Sequence, residues 1–510
     1  MSEFLSWHPS SENGNKLYNI RKQLSNYIYQ DPVNAFEILK KEWRFGSISE
    51  IWDDFIFDNV IRTALDRNNS DDLPNAVSRY SVIDHLLFLT YIRREEDPIR
   101  FRRAFWNVNF YGLKLANALM SKGNFSNHQN SNKVTLEYPP YQKNDNNAKK
   151  IAFILKGPYK LAHVEFLHSF LQGGFHFKSK VHLTLILIDA KEVYPKTIDH
   201  VDIISLSSIE DPYKKIQSYI LYCRQKNFDH ICWVACVQNL SLYMGMQLAP
   251  VQSYWSMKYH SIIMPTIQKY AGLGFGGKSF TYDSVKWFRG RAFPALEIPK
   301  YNKQEISKLK NTQMISDQDI VVGCFVRSEK LHDKTFWDSI CNIIRYKQNV
   351  HFVIASQSMP TQLKIYLETN LKSYFCKFHH LGWINTKKWI SNVDIYYDSF
   401  PRGSCNTIFE AIEMNVPVLM ADTSLNRESS ALPYLLSSAG GSENLTNTLG
   451  IYQSESERLM KCYELLSSIK ERRSLSTIQK KLLSRLQNQK HLFAKDYLNF
   501  FMDEQYKINP

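Results

Sequence analysis

The run VDIYYDSFPRGSCNTIFEAIEMNVPVLMAD, Val393 to Asp422, holds the densest grouping of residues able to do chemistry. An apolar segment ending in Asp398 leads into a turn containing Pro401 and Gly403, and SCNT then offers small hydroxyl and amide side chains ahead of an amphipathic stretch. A helix beginning there presents unsatisfied backbone N–H groups and the positive end of its dipole, which is what a diphosphate needs. Gly403, Cys405, Asn406 and Thr407 form that start, Asn406 and Thr407 can add side-chain hydrogen bonds to phosphate oxygens, and Glu410, one turn on, can reach a ribose diol. The same residues also read as an ordinary capped helix, with Ser404 or Asn406 as N-cap and Glu410 as a first-turn carboxylate. Both readings stand on the residues alone.

Two other stretches look chemical and are discounted. GLGFGGKS, Gly272 to Ser279, fits the spacing of a phosphate-binding P-loop, but such a loop works only between a strand and a following helix. Here SIIMPTIQKYA precedes it and FTYDSVKWFRGRAFP, a poor helix, follows, so a glycine-rich loop near a cleft is expected instead. Asp317 and Asp319 make a DxD pair ahead of the apolar run IVVGCFV rather than after a strand, and a solvated linker turn is expected there rather than a metal site. The eight cysteines give neither a disulfide framework nor close ligand pairs, and Cys232 and Cys236 sit in the apolar run HICWVACV as buried thiols. No metal site is expected.

The elements that must hold these residues follow from the hydrophobic period. Residues 17 to 121 carry apolar residues at helical spacing, as in NAFEILKKEW and SVIDHLLFLTYIRR, which predicts an all-α domain over 1–121 and a polar linker over 122–150. From Ile151 short apolar runs such as IAFILKG, VHLTLILIDA and HICWVACV alternate with amphipathic segments, the pattern of a parallel sheet with crossover helices, over 151–300. The pattern lapses over 301–318 and resumes over 319–450 with DIVVGCFV, NVHFVIAS, VDIYYD and VPVLMAD, before charged helical segments over 451–510. The fold class is therefore α/β, with two Rossmann-like units facing a cleft behind a helical domain. Ligands in such sheets bind beyond the carboxyl ends of the strands.

Glycine turn, small polar pair, Glu410 and then Asn415-Val416-Pro417-Val418 occur in an order that resembles the sugar-nucleotide half of GT-B glycosyltransferases. Within that fold the chain looks most like glycosyltransferase family 41, which contains O-linked N-acetylglucosamine transferases and soluble bacterial N-glucosyltransferases of adhesins. The bacterial enzymes carry Phe-Pro-x-Gly-x-x-Asn-Gly-x-x-Asp, matched here by Phe400, Pro401, Gly403, Asn406 and Glu410, with Thr407 in place of a glycine and Glu410 in place of an aspartate. FVRSEKLHDKTFWDSI puts Lys330 where the family places a phosphate-binding lysine, and LAPVQSY is similar to its Ala-Pro-Ile/Val-Gln element, though the Gly-His/Phe-Pro that normally follows is missing.

The resemblance implies a UDP-sugar donor, UDP-glucose or UDP-N-acetylglucosamine, and no cofactor. It implies that Lys330, Asn406 and Thr407 stabilise the leaving diphosphate without metal. It places the uracil against HHLGWINTKK, at Trp383, Ile384 and Lys387, where packing is the competing role for the tryptophan. The acceptor side falls at Gly157 and His163 in GPYKLAHVEFLH and at Gln252 in LAPVQSY, with His163 as the base. Retaining GT-B enzymes commonly carry two glutamates eight positions apart around this loop, and the position eight before Glu410 is Arg402, which favours inversion. The acceptor implied is a protein side chain, Asn or Ser/Thr, as on an adhesin. A glycan- or lipid-acceptor transferase and an inactive binding partner on the same fold remain the alternatives.

Composition fits this. With 63 Lys and Arg against 49 Asp and Glu the 510-residue chain carries +14, which suits phosphate-bearing ligands or peripheral contact with a membrane surface. No nucleic-acid-binding motif accompanies the charge. The amino terminus lacks the pattern of a signal peptide and no apolar run reaches spanning length, so a cytoplasmic protein is expected.

Overall fold

The computed structural model describes residues 23, 26–35, 72–89, 98–122, 148–156, 162–189, 198–234, 240–256, 264–274, 278–282, 285–291, 310, 312–438, 447–488 and 490–503. Among the described residues, helical turns over 26–35 precede α1 (Leu73–Leu89) and α2 (Pro98–Lys122). The first α/β unit runs β1 (Lys149–Leu155), α3 (Ala162–Gly173), β2 (Val181–Leu187), β3 (Val201–Ser205), α4 (Pro212–Lys226), β4 (His230–Val234), α5 (Ser241–Gly245), β5 (Val251–Ser256), β6 (Lys269–Gly274), β7 (Lys278–Tyr282) and β8 (Val285–Arg291). Its sheet has the order β3-β2-β1-β4-β5-β6-β8-β7, parallel until the closing antiparallel β7–β8 pair. The near-continuous apolar runs of β1, β2 and β4 are explained by burial on both faces.

The second unit runs β9 (Ile320–Phe325), α6 (Lys334–Tyr346), β10 (Val350–Ala355), α7 (Thr361–Leu371), β11 (Phe378–His380), α8 (Thr386–Trp389), β12 (Ile395–Tyr397), α9 (Asn406–Glu413), β13 (Val418–Ala421), α10 (Ser424–Ser429), α11 (Leu432–Ser438) and β14 (Ile451–Tyr452). Its six strands, all parallel, take the order β11-β10-β9-β12-β13-β14. Side chains alternate between two cores. Val321 and Phe325 of β9 face a cluster containing Ile408, Phe409 and Ile412 of α9, whereas Val322 and Cys324 face one containing Phe336, Ile340 and Ile344 of α6. Both sheets show the doubly wound order, in which the winding reverses between the first and fourth strands of each unit. In the second unit that crevice lies between β9 and β12.

Three helices close the chain: α12 (Glu455–Ser467), α13 (Ile469–Gln487) and α14 (Lys490–Met502). A reciprocal capping box between Ser454 and Glu457 starts α12, and Ser468 caps α13 through the Glu471 N–H. The last helix returns to the first unit, packing on α3 and β8. Its Tyr497 hydroxyl donates to the carbonyls of Gly272 (2.6 Å) and Gly290 (3.2 Å), and a Cβ at Gly290 would overlap the Tyr497 ring.

GLGFGGKS is thereby accounted for. Gly272 is in strand β6, while Lys278 and Ser279 begin β7, which pairs antiparallel with β8. A strand stands where a P-loop requires a helix, so the segment cannot cradle phosphate in that way, and the loop residues 275–277 lie outside the described residues. The leading helices share one apolar core with the first sheet: Val77, Ile83 and Leu115 cluster with Ile154, Ile231 and Trp233. Tyr80 of α1 is 2.6 Å from the Ser241 hydroxyl of α5, and Lys156 at the end of β1 meets Asp84 at 2.6 Å.

Candidate nucleotide site

The loops after β9 and β12 flank the crevice of the second sheet, and both carry residues singled out in the sequence. Ser328–Lys330 form a 3-10 turn directly after β9. The Lys330 ammonium donates to the carbonyl of Gly403, in the loop after β12, so a cation is tied to the turn that feeds α9. Cys405 is the N-cap of α9, with φ −120° and ψ −80°, and its side chain makes no capping hydrogen bond. The ordinary capped helix, with Ser404 or Asn406 as N-cap, is not what forms. Asn406 and Thr407 are half-buried in the first turn, and Lys330, Gly403, Cys405, Asn406 and Thr407 come together as one group.

Glu410 is only 6% exposed and accepts a hydrogen bond from the Thr386 hydroxyl at 3.2 Å. Helix α8, which Asn385 caps through the Lys388 N–H, thus lies beside α9. The segment expected to meet a base and the residue expected to meet a ribose are neighbours. Trp383 is 82% exposed, beside Gly382 with φ 67°, while Ile384 and Lys387 are half-buried. The packing role falls instead to Trp389, which is buried in the core between the two units.

Sequence reasoning missed the residues that hold this loop. Asp398, at the end of β12, is fully buried, and both its carboxylate oxygens accept from the Ser404 N–H at 3.0 Å. Burial pushes its carboxyl above the ordinary value, opposed by the nearby Lys330 charge, the Ser404 N–H and Arg458. Asn426 of α10 accepts from the Gly403 N–H and donates to the Ala421 carbonyl at 2.7 Å. The Thr423 hydroxyl donates to the Pro401 carbonyl at 2.7 Å, across a loop whose Phe400-Pro401 bond is cis. Beneath lies Arg458 of α12, fully buried, donating to the Asp398 carbonyl at 2.7 Å, paired with Glu455 at 2.6 Å and stacked 4.1 Å from the Tyr397 ring centroid. Glu455 also accepts from Ser339 and Tyr397. The available signal was the carboxylate ending an apolar strand in VDIYYD; nothing local marks Asn426 or Arg458.

On the acceptor side one expectation is corrected. Gln252 is fully buried in β5, and its amide is consumed: Oε1 accepts from Trp233 Nε1 at 3.0 Å, while Nε2 donates to the carbonyls of Met244 (2.8 Å) and Thr266 (3.0 Å). Both amide protons and the carbonyl oxygen are bonded inside the domain, and the side chain has no exposed surface to offer an acceptor. His163 lies in the first turn of α3, following β1, with its side chain outside the described residues, as is Gly157. The DxD turn sits at the amino-terminal edge of β9, opposite the site, and Asp319 accepts from the Ser316 N–H at 2.8 Å. Among the described residues no three His, Cys, Asp or Glu side chains group as a metal site.

No family model and no curated protein matches this chain. A mutant O-GlcNAc transferase of Thermobaculum terrenum is similar in structure, with a TM-score of 0.55 at 13% identity over 98% of this chain and 96% of that one. HepE of Anabaena, solved with UDP and glucose, gives 0.45 at 12% identity over 69% of this chain and 98% of that one. A glycosyltransferase of Rickettsia africae gives 0.47 at 9% identity over 70% and 98%. The fold is GT-B: two Rossmann-like units, with a final helix that crosses back to the first.

Proposed function

We propose that this chain is an inverting, metal-independent glycosyltransferase that moves a hexose or N-acetylhexosamine from a UDP-sugar to an Asn or Ser/Thr side chain of a protein. The observation that carries the reading is the meeting of Lys330 with the start of α9 at the strand-order reversal of the second sheet. Open α/β sheets bind ligands at that point, and a helix amino terminus beside a lysine suits a diphosphate. The solved neighbour named as an O-GlcNAc transferase supports the choice of donor.

In the transfer the acceptor oxygen or nitrogen attacks the anomeric carbon as the bond from that carbon to the diphosphate oxygen breaks. The bonding pair leaves with the diphosphate, whose growing charge is met by Lys330 and the N–H groups of Asn406 and Thr407. The acceptor proton passes to a base, for which His163 is our assignment. Glu410 holds the ribose and the 383–387 segment the base. The reading is tested by a hydrolysis and transfer screen of UDP-sugars against peptide and glycan acceptors, with and without chelator. Turnover that survives chelation and falls at least about tenfold in Lys330→Ala, the loss of one charge-assisted hydrogen bond, is expected. Full inhibition by chelator would overturn metal independence, and undiminished turnover in Lys330→Ala would overturn the phosphate assignment.

A further inference from the structure

Helix α13, IKERRSLSTIQKKLLSRLQ, carries six cations against one carboxylate, Glu471. Leu475, Leu482, Leu483 and Leu486 face the core. With 3.6 residues per turn, Lys470, Arg473, Lys481 and Arg485 fall on the other half of the helix, and all four are exposed. Among the described residues none of the four enters an ion pair. Thr477 and Ser484 sit between them, and Ile469 (57% exposed) and Ile478 (36% exposed) stand at the two margins.

A depression of about 370 Å³ opens on this face, lined by Asn415, Thr477, Lys480, Lys481, Ser484 and Arg485. Its lining holds cations, hydroxyls and an amide, with no carboxylate. The nearest carboxylate, Glu413, is engaged: Lys480 reaches its side chain at 2.8 Å and its backbone carbonyl at 2.6 Å, and Gln487 lies 3.4 Å from its other oxygen. Lys480 is thus neutralised while Lys481 and Arg485 are not. Such a lining suits a phosphate oxyanion.

We propose that this face docks on an anionic lipid surface, with a lipid phosphate in the depression and Ile469 and Ile478 at the acyl boundary. A soluble phosphate compound would use the depression alone, yet the cations run from Lys470 to Arg485, roughly 22 Å at 1.5 Å per residue. Clustered Lys and Arg on a helix with apolar margins is what an interfacial surface requires. Asn415 follows the carboxyl end of α9, whereas the candidate site is at the amino end of that helix, roughly 12 Å away. Docking therefore leaves the nucleotide crevice open.

The test is sedimentation of the full chain with phosphatidylcholine vesicles, with and without phosphatidylglycerol, at low and high salt. Binding only to the anionic vesicles, weakened by salt, is expected, with about a tenfold loss in the Lys481→Glu, Arg485→Glu double variant. A second double variant, Lys470→Glu with Arg473→Glu, should lose a similar factor, since it removes the same charge from the other end of the face. Ile469→Ser should weaken binding by about threefold without altering charge. Each variant is checked for an unchanged thermal midpoint. Vesicle binding that is absent, that is equal in all variants, or that is fully displaced by millimolar inorganic phosphate with Ile469→Ser inert would overturn the proposal. Tighter binding to duplex DNA or RNA than to vesicles would also overturn it.

Discussion

Asp398 shows how one buried carboxylate sets the shape of the candidate site. It receives the Ser404 N–H on both oxygens, lies near Lys330, and leaves no room for a side chain at residue 403. Removing it strands a buried N–H and withdraws the counter-charge of two cations. Asp398→Ala is therefore expected to destabilise the fold by about 3 kcal/mol, the scale for breaking a buried, charge-bearing hydrogen-bond group. The midpoint of urea denaturation would show it, and a shift below about 1 kcal/mol would mean that the loop holds itself. That Asn406 and Thr407 open a helix was legible in the sequence, because small polar residues ahead of an amphipathic run are a local signal, whereas Lys330 was placed by the family resemblance. Asn426 and Arg458 were not legible, because they reach the loop from 23 and 60 residues along the chain. Gln252 misled for the same reason, since only the fold reveals that its partners are Trp233, Met244 and Thr266.

At the scale of elements, most strands were readable as uninterrupted apolar runs, and the parallel order followed from the helices between them. The β7–β8 pair was not read from FTYDSVKWFRGRAFP, whose aromatics and Gly290 argued only against a helix. In the structure that glycine is a docking point. Tyr497 of α14 lies against it and hydrogen-bonds the carbonyls of Gly272 and Gly290, while Phe288 stacks on Phe500 with centroids 4.4 Å apart. Gly290→Ala inserts a methyl into the ring and must push α14 off β8, at a cost of about 1–3 kcal/mol for overpacking. Hydrogen exchange of the α14 amides is the sensitive measurement, because that helix should open before the second sheet does. Protection of α14 equal to wild type would show that the contact is not needed.

Across the whole molecule, α14 is the strap that binds the end of the chain to the first unit, and ionisable groups fasten it. Lys269, buried in β6, donates to the carbonyls of Phe500 (2.8 Å), Phe501 (3.1 Å) and Asp503, capping the helix end with a charge that complements its dipole. His230 of β4 is 3.0 Å from the Phe501 carbonyl through Nδ1 and 2.8 Å from the Ser253 hydroxyl through Nε2. Since a carbonyl only accepts, Nδ1 carries the proton and Nε2 accepts from Ser253, so the ring is held neutral. Burial, with the Lys269 charge beside it, lowers its pKa to about 3. In the second unit His351 Nδ1 lies 2.9 Å from His379 Nε2, with the ring centroids 5.2 Å apart, and burial, then the neighbouring His351, lowers the His379 pKa to about 4. An unfolded histidine takes its proton near pH 6.5, so between that value and these depressed ones the unfolded chain binds more protons than the folded one. Stability is full above about pH 6.5 and falls as the pH drops, by about 2 kcal/mol at pH 5 for a fully buried histidine such as His230 and by less for the partly solvated His379. The Asp202 carboxyl, held below its ordinary value by its hydrogen bond to His182, adds its own loss only at lower pH, while Asp398, raised by burial, takes up its proton first in the folded chain and works against the loss. Urea midpoints at pH 7 and pH 5 should thus differ, and His230→Gln, which keeps an amide donor and acceptor but cannot titrate, should narrow the difference. A midpoint that holds constant over that window in the wild-type chain would show that His230 charges without loosening the strap.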